Sequence, residues 1–220
     1  MKSTEERIGE IIVILHKTYP RSHTALKFET PLQILVATIL SAQCTDERVN
    51  QITPSLFQKY RTPADFATAD PAKLEEEIRP TGFFRNKAKS IISASKRIVE
   101  DFGSMMPDNM EDLITLPGVA RKTANIVLSS AFKKAEGIAV DTHVKRLSQR
   151  LELSKEKDPD KIERDLMAIV PREDWIEFNY LFVNHGRKIC QSRKPLCPDC
   201  GLKHLCPSAE EFFSDAELKP

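Results

Sequence analysis

A chain of 220 residues, 40% of them hydrophobic, has enough apolar mass for one large globular core or two small ones. Its longest strongly apolar run, residues 34–40, is too short to cross a bilayer, and its charged first residues contain no secretion-signal core, so a membrane protein is excluded and a cytoplasmic one is expected. Lys and Arg number 33 against 32 Asp and Glu, a net charge of +1, which excludes a globally basic nucleic-acid binder and leaves only binding by locally segregated charge.

Ser3 or Thr4 is placed to cap a first helix running to about residue 17, with Ile8, Ile11, Ile12 and Leu15 on its apolar face. Pro31 opens a second helix. From Leu32 to Ala42 nearly every residue is apolar or small, so this helix is expected to be buried on all sides, at the centre of an all-α domain. It empties into Ser41-Ala42-Gln43-Cys44-Thr45-Asp46, a polar cluster suited to a cleft floor, in which Asp46 is either a cleft acid or the cap of the next helix. Cys44 reads as a small buried residue. Helical patterns follow at about 46–60, 63–69 and 71–79; Pro54 is awkward in a helix interior and is expected at a bend or in a first turn. Gly82-Phe83-Phe84-Arg85-Asn86-Lys87 is a tight turn entering a long helix. Two aromatics beside two cations fit either a wedge that enters a base stack or a pair of core anchors. Asp108, with Glu111 three residues on, is expected to cap the helix that follows.

Thr115-Leu116-Pro117-Gly118-Val119-Ala120-Arg121-Lys122-Thr123-Ala124 predicts the end of one helix, a tight turn and a new helix start, whose unpaired backbone N–H groups suit an anion. Lys122 falls in the first turn, where the helix dipole and Arg121 both disfavour an ammonium; a free amine there is a nucleophile. Asp141, in Val140-Asp141-Thr142-His143, could take the lysine proton or face a developing positive charge. The plainer reading is a surface lysine beside an anion-binding turn, with Asp141 as an N-cap. From Gly118 to Arg150 seven cations stand against two acids, a local excess that coincides with this turn. Further helices are expected at 142–151, 158–169 and 173–186. No stretch alternates with the period of a strand.

Four of the five cysteines, Cys190, Cys197, Cys200 and Cys206, fall in one short loop, a spacing that fits a soft metal centre in a reducing compartment better than a disulfide framework. Zinc sites generally use two close pairs; here one pair is close and the outer spacings are long, as suits a larger [4Fe–4S] cluster. The same loop, with Arg187, Lys188, Arg193, Lys194 and Lys203 against Asp199, is basic enough to grip phosphates or to balance a cluster's negative charge.

The hairpin at 116–124, Val140-Asp141-Thr142-His143-Val144 and the cysteine loop together resemble the helix-hairpin-helix, Gly-Pro-Asp superfamily of DNA base-excision glycosylases, in its iron–sulfur branch, over nearly the whole chain. The resemblance implies an all-α fold of two helical domains with a cleft between them: a six-helix domain of about 23–135 containing the hairpin, and a second of 1–22 plus 136–220 holding the cluster. It implies Lys122 and Asp141 as catalytic residues, a [4Fe–4S] cluster on the four cysteines, and double-stranded DNA containing damaged bases or abasic sites as partner, bound by a monomer. Gln43 would fill the gap left by an extruded base and Phe83 would be the wedge. Gly118, Ala120, Thr123, His143, Arg187, Arg193 and Lys194 would contact DNA, with His143 equally readable as a plain helix-start residue. The superfamily's usual second hairpin glycine is Ala120 here; helical angles are expected there, where Ala carries no penalty. The implied activity is bifunctional: glycosylase action on oxidised or ring-saturated pyrimidines, then β-elimination. The alternatives are a monofunctional mismatch glycosylase of the same superfamily and a non-enzymatic DNA-binding module.

Overall fold

The computed structural model describes residues 3–20 and 22–213, and every regular element among them is helical. The chain divides into two compact units, Thr24–Glu136 and the pair of flanking stretches Met1–His23 with Gly137–Pro220.

The Thr24–Glu136 unit is built on α2 (Pro31–Ser41), which starts where the Thr30 hydroxyl accepts from the backbone of Gln33 and Pro31 presets the first turn. Leu32 through Leu40 are buried except Gln33. Each Leu or Ile so enclosed contributes roughly 1.5–3 kcal/mol, and α3 (Asp46–Lys59), α6 (Phe84–Phe102) and α8 (Arg121–Val127) close around it. Between α3 and α6 lie α4 (Pro63–Ala67) and α5 (Pro71–Ile78); between α6 and α8 lies the single turn α7 (Met110–Leu113).

Three local expectations meet their outcome here: Pro54 is not in a first turn, and the caps at Asp46 and Asp108 are corrected. Pro54 sits in the interior of α3, where it removes one backbone donor and is tolerated by a helix anchored through buried Val49, Thr53 and Leu56. Thr45 caps α3, accepting from the Arg48 N–H, which leaves Asp46 one residue inside the helix. Asn109 caps α7 by accepting from Asp112; Asp108 instead pairs with Lys134 at 2.6 Å on the surface.

In the other unit, α1 (Thr4–Thr18) begins with a complete capping box between Ser3 and Glu6. Its buried Ile8, Ile11, Ile12 and Leu15 join a core with α9 (Thr142–Arg150), α10 (Pro159–Ile169) and α11 (Trp175–Lys188), at whose centre Phe178 and Phe182 stack 4.1 Å apart. The short α12 (Ala209–Phe213) follows the cysteine loop. Arg7 fastens α1 to both later segments, donating to the carbonyls of Leu151 and Leu205 at 3.0 and 3.2 Å. No helix among the described residues is long and apolar enough to cross a membrane.

Candidate functional site

The hairpin turn of the Thr24–Glu136 unit is fixed by sterics at Gly118. Leu116 and Val119 are buried on either side, and the Val119 N–H closes the turn on the Leu116 carbonyl at 3.1 Å. Gly118 has φ 79, in the left-handed region, and an added Cβ would lie 2.7 Å from both Cβ and Oγ of Ser90 on α6. Gly118→Ala is therefore expected to cost about 2–4 kcal/mol in a urea melt. Adding Ser90→Gly should recover the steric part and leave the backbone part.

Ala120 departs from its expected angles. It is extended, at φ −90 and ψ 168, and is the N-cap of α8. Any residue adopts this conformation, so Ala replaces glycine there without strain, and its methyl cannot accept from the N–H groups of the first turn. Buried Ala124 and Val127 anchor α8 beneath; Lys122 stands exposed in its first turn, and Thr123 is half-buried.

Gln43, Phe83, Gly118 and Thr123 come together around one cavity of about 290 Å³, whose wall is completed by Asn86, Lys87 and Ser90. Gln43 follows the end of α2 at φ 53, and Phe83 precedes α6 at φ 47, both left-handed without being glycine. Of the two aromatics of the turn, Phe84 packs on the core, with the Arg79 and Arg85 guanidiniums over its ring, while Phe83 is 62% exposed. Sequence reasoning missed Lys87. Its signal was there, because Lys87, Ile91, Ala94 and Ile98 share one helical stripe and a cation interrupts an otherwise apolar face.

Asp141 lies in the other unit. The segment before it, Ile138 to Val140, is buried, and Asn179 of α11 holds the Ala139 carbonyl at 2.7 Å. Asp141 is the N-cap of α9: its Oδ1 accepts from the N–H groups of His143 and Val144, both at 2.8 Å. The cap reading and a chemical role thus use the same carboxylate, held at a fixed orientation. His143 does more than begin the helix, since Arg146 Nη2 donates to its Nδ1 at 3.1 Å. A Cβ at Gly186 would fall 2.7 Å from that nitrogen, so only glycine lets α11 approach here.

All four cysteines of the loop line one cavity, walled by Leu147, Leu151 and Leu202. Arg150 Nη1 donates to Cys190 Sγ at 3.2 Å, and the same guanidinium holds the carbonyls of Gln191 and Ser192. His185 is buried with one ring nitrogen 3.4 Å from Cys200 Sγ and the other 3.2 Å from the Tyr19 hydroxyl; burial drops its pKa to about 4. Burial first, then the neighbouring sulfurs, raise the thiols of Cys197 and Cys200, and Cys206 rises to about 11 chiefly through burial. Four thiols around an apolar space become thiolates only with compensating positive charge, which fits a metal centre. Among the described residues no three Cys, His, Asp or Glu side chains converge closely enough for a single ion. Cys44 takes no part and packs, half-buried, against the core of the Thr24–Glu136 unit. Arg187, Arg193 and Lys194 are exposed around the loop.

Residues 36–172 match the HhH-GPD superfamily of base excision DNA repair proteins. The chain is 57% identical to endonuclease III of Synechocystis sp. (strain PCC 6803) over 96% of each chain, and 42% identical to endonuclease III of Bacillus subtilis over 88% of each. Among solved structures it resembles a non-covalent endonuclease III–DNA complex (TM-score 0.91, 38% identity, covering 97% of this chain and 100% of that one). It resembles equally a trapped covalent endonuclease III–DNA intermediate (TM-score 0.90, 38% identity, covering 96% and 99%).

Proposed function

Since the chain belongs to the endonuclease III family of the HhH-GPD superfamily, we propose that Lys122 is its nucleophile, Asp141 its catalytic carboxylate, and duplex DNA with damaged pyrimidines its substrate. The chain is a base-excision DNA glycosylase and lyase. The observation that carries the assignment is the similarity to a protein trapped covalently on DNA. A covalent intermediate requires a protein nucleophile, and Lys122 is an exposed amine in the first turn of α8, beside the Gly118 turn.

The chemistry follows. The damaged base leaves the stack, which costs least for a ring-saturated, poorly stacking pyrimidine. The Lys122 amine attacks the sugar C1′, the C1′–N bond breaks, and the base departs with a proton. The Asp141 carboxylate stabilises the cationic sugar and accepts the lysine proton. O4′ then leaves C1′, taking a proton passed from the attached nitrogen, and the adduct opens to a protonated imine that acidifies C2′; loss of a C2′ proton expels the 3′ phosphate by β-elimination, and water hydrolyses the imine to free Lys122. Gln43 and Phe83 hold the opened stack, and the N–H groups of the Gly118–Thr123 turn, with His143, Arg187, Arg193 and Lys194, hold phosphates. The similarity to bacterial endonuclease III chains supports a cytoplasmic location.

Cys190, Cys197, Cys200 and Cys206 would hold a [4Fe–4S] cluster, which supplies the positive charge that keeps four sulfurs ionised in one cavity and cross-links residues 190–206. The four cysteines line one cavity, and their spacing, with one close pair and long outer gaps, supports this reading. The protein is expected to be brown as isolated, with about four iron atoms per chain; a colourless protein carrying one zinc would sink the assignment. For the substrate, duplexes each carrying one lesion should rank oxidised and ring-saturated pyrimidines first, and preferential release of adenine or of mismatched thymine would overturn it.

A further inference from the structure

Lys87 is the only lysine or arginine among the described residues that is buried, at 5% exposure. Its Nζ donates to two backbone carbonyls, Leu40 O and Thr81 O, each at 2.8 Å. An ammonium enclosed with neutral acceptors is costly, and burial pushes its pKa below that of a free lysine. A methionine would fill the same volume without that cost, so packing alone does not call for a charge here.

What the ammonium grips explains the charge. Leu40 lies in the last turn of α2, three residues before Gln43; Thr81 lies two residues before Phe83. Gln43 and Phe83 are both left-handed, at φ 53 and 47, a conformation that is unfavourable for residues with a side chain and persists only where the surroundings enforce it. Both line the cavity that Lys87 also lines. One side chain thus ties the two segments that present the two exposed functional residues.

We propose that Lys87 is a positioning residue for base extrusion: by clamping the Leu40 and Thr81 carbonyls it presets Gln43 and Phe83 as a rigid pair before DNA arrives. The proposal rests on the reading of Gln43 as filler and Phe83 as wedge. Presetting moves the ordering cost of both loops from DNA binding to folding, so that extrusion meets a finished tool.

Lys87→Met, Lys87→Arg, Phe83→Ala and the Phe83→Ala, Lys87→Met double variant test it on three readouts. These are 2-aminopurine fluorescence beside a thymine glycol in duplex DNA, which reports extrusion; single-turnover excision from that duplex; and cleavage at an abasic site in single-stranded DNA, where no stack is opened. Lys87→Met is expected to slow extrusion and duplex excision roughly ten- to a hundredfold while single-strand cleavage stays within about twofold. Lys87→Arg should rescue part of the loss. In the Phe83→Ala background Lys87→Met should add less than about twofold, because the pair is already broken. Wild-type extrusion by Lys87→Met, equal loss on single and double strands, or effects that simply multiply would each overturn the proposal. Wild-type extrusion by Phe83→Ala alone would overturn the wedge reading and the proposal with it, a result distinct from Lys87 failing beside an impaired Phe83→Ala.

Discussion

Lys122→Ala should form no covalent adduct with abasic DNA under borohydride and should lose strand cleavage by at least about a thousandfold, or 4 kcal/mol of transition-state stabilisation. The loss is expected to be purely chemical. Lys122 is exposed in the first turn of α8, Ala is the best helix former, and removing a cation from a helix N-terminus relieves the dipole. Thermal stability should therefore stay level or rise slightly, and affinity for a non-cleavable abasic analogue should fall by no more than the share of one surface charge. Mass spectrometry of the trapped complex gives the decisive reading. Wild-type adduct yield from the alanine variant would move the nucleophile to another amine.

Asp141→Asn should retain DNA binding and lose base release by about 10²–10³-fold. The geometry makes asparagine, and not alanine, the informative replacement. Asp141 Oδ1 accepts from the N–H groups of His143 and Val144, and an asparagine carbonyl can accept from both. Asn and Asp are equivalent N-caps, so the helix start survives and only the charge goes, at less than about 1 kcal/mol of dipole stabilisation. Asp141→Ala would remove the cap as well and confuse a chemical loss with an unravelled helix. Gel shift on the abasic analogue, set against single-turnover excision, separates the two. Parallel loss of binding and excision in Asp141→Asn would make the residue structural and sink its catalytic role.

The elements that sequence reasoning located well are those where local chemistry is decisive. The almost wholly apolar run from Leu32 to Leu40 reads as a central helix, and it is one. Pro31 behind Thr30, and the Ser3–Glu6 box, mark their helix starts without tertiary help. Caps offered by neighbouring residues were less legible: Thr45 or Asp46, and Asp108 or Asn109, are equally good caps, and the choice falls to how each short helix meets the core. At Ala120 helical angles are expected and the chain is extended instead, because the turn closes through Gly118 and delivers an extended residue. The side chains hidden from sequence reasoning are those that work at long range. Arg150 beside Cys190, Asn179 beneath Ala139 and Lys87 between Leu40 and Thr81 reach partners at sequence separations of 40, 40 and 47. No local pattern announces such a partner; at most, as with Lys87, a polar residue on an apolar stripe shows that one exists.

The division of the chain also sets an order of events during synthesis. Thr24–Glu136 is a contiguous stretch and can collapse as soon as it leaves the ribosome, whereas α1 emerges first and belongs with helices made last. Until the residues from Ile138 onward arrive, Ile8, Ile11, Ile12 and Leu15 lack the other members of their core, so α1 presents an apolar stripe while the whole Thr24–Glu136 stretch is made. A helix made before the Thr24–Glu136 unit is thus sheltered only after that unit is complete.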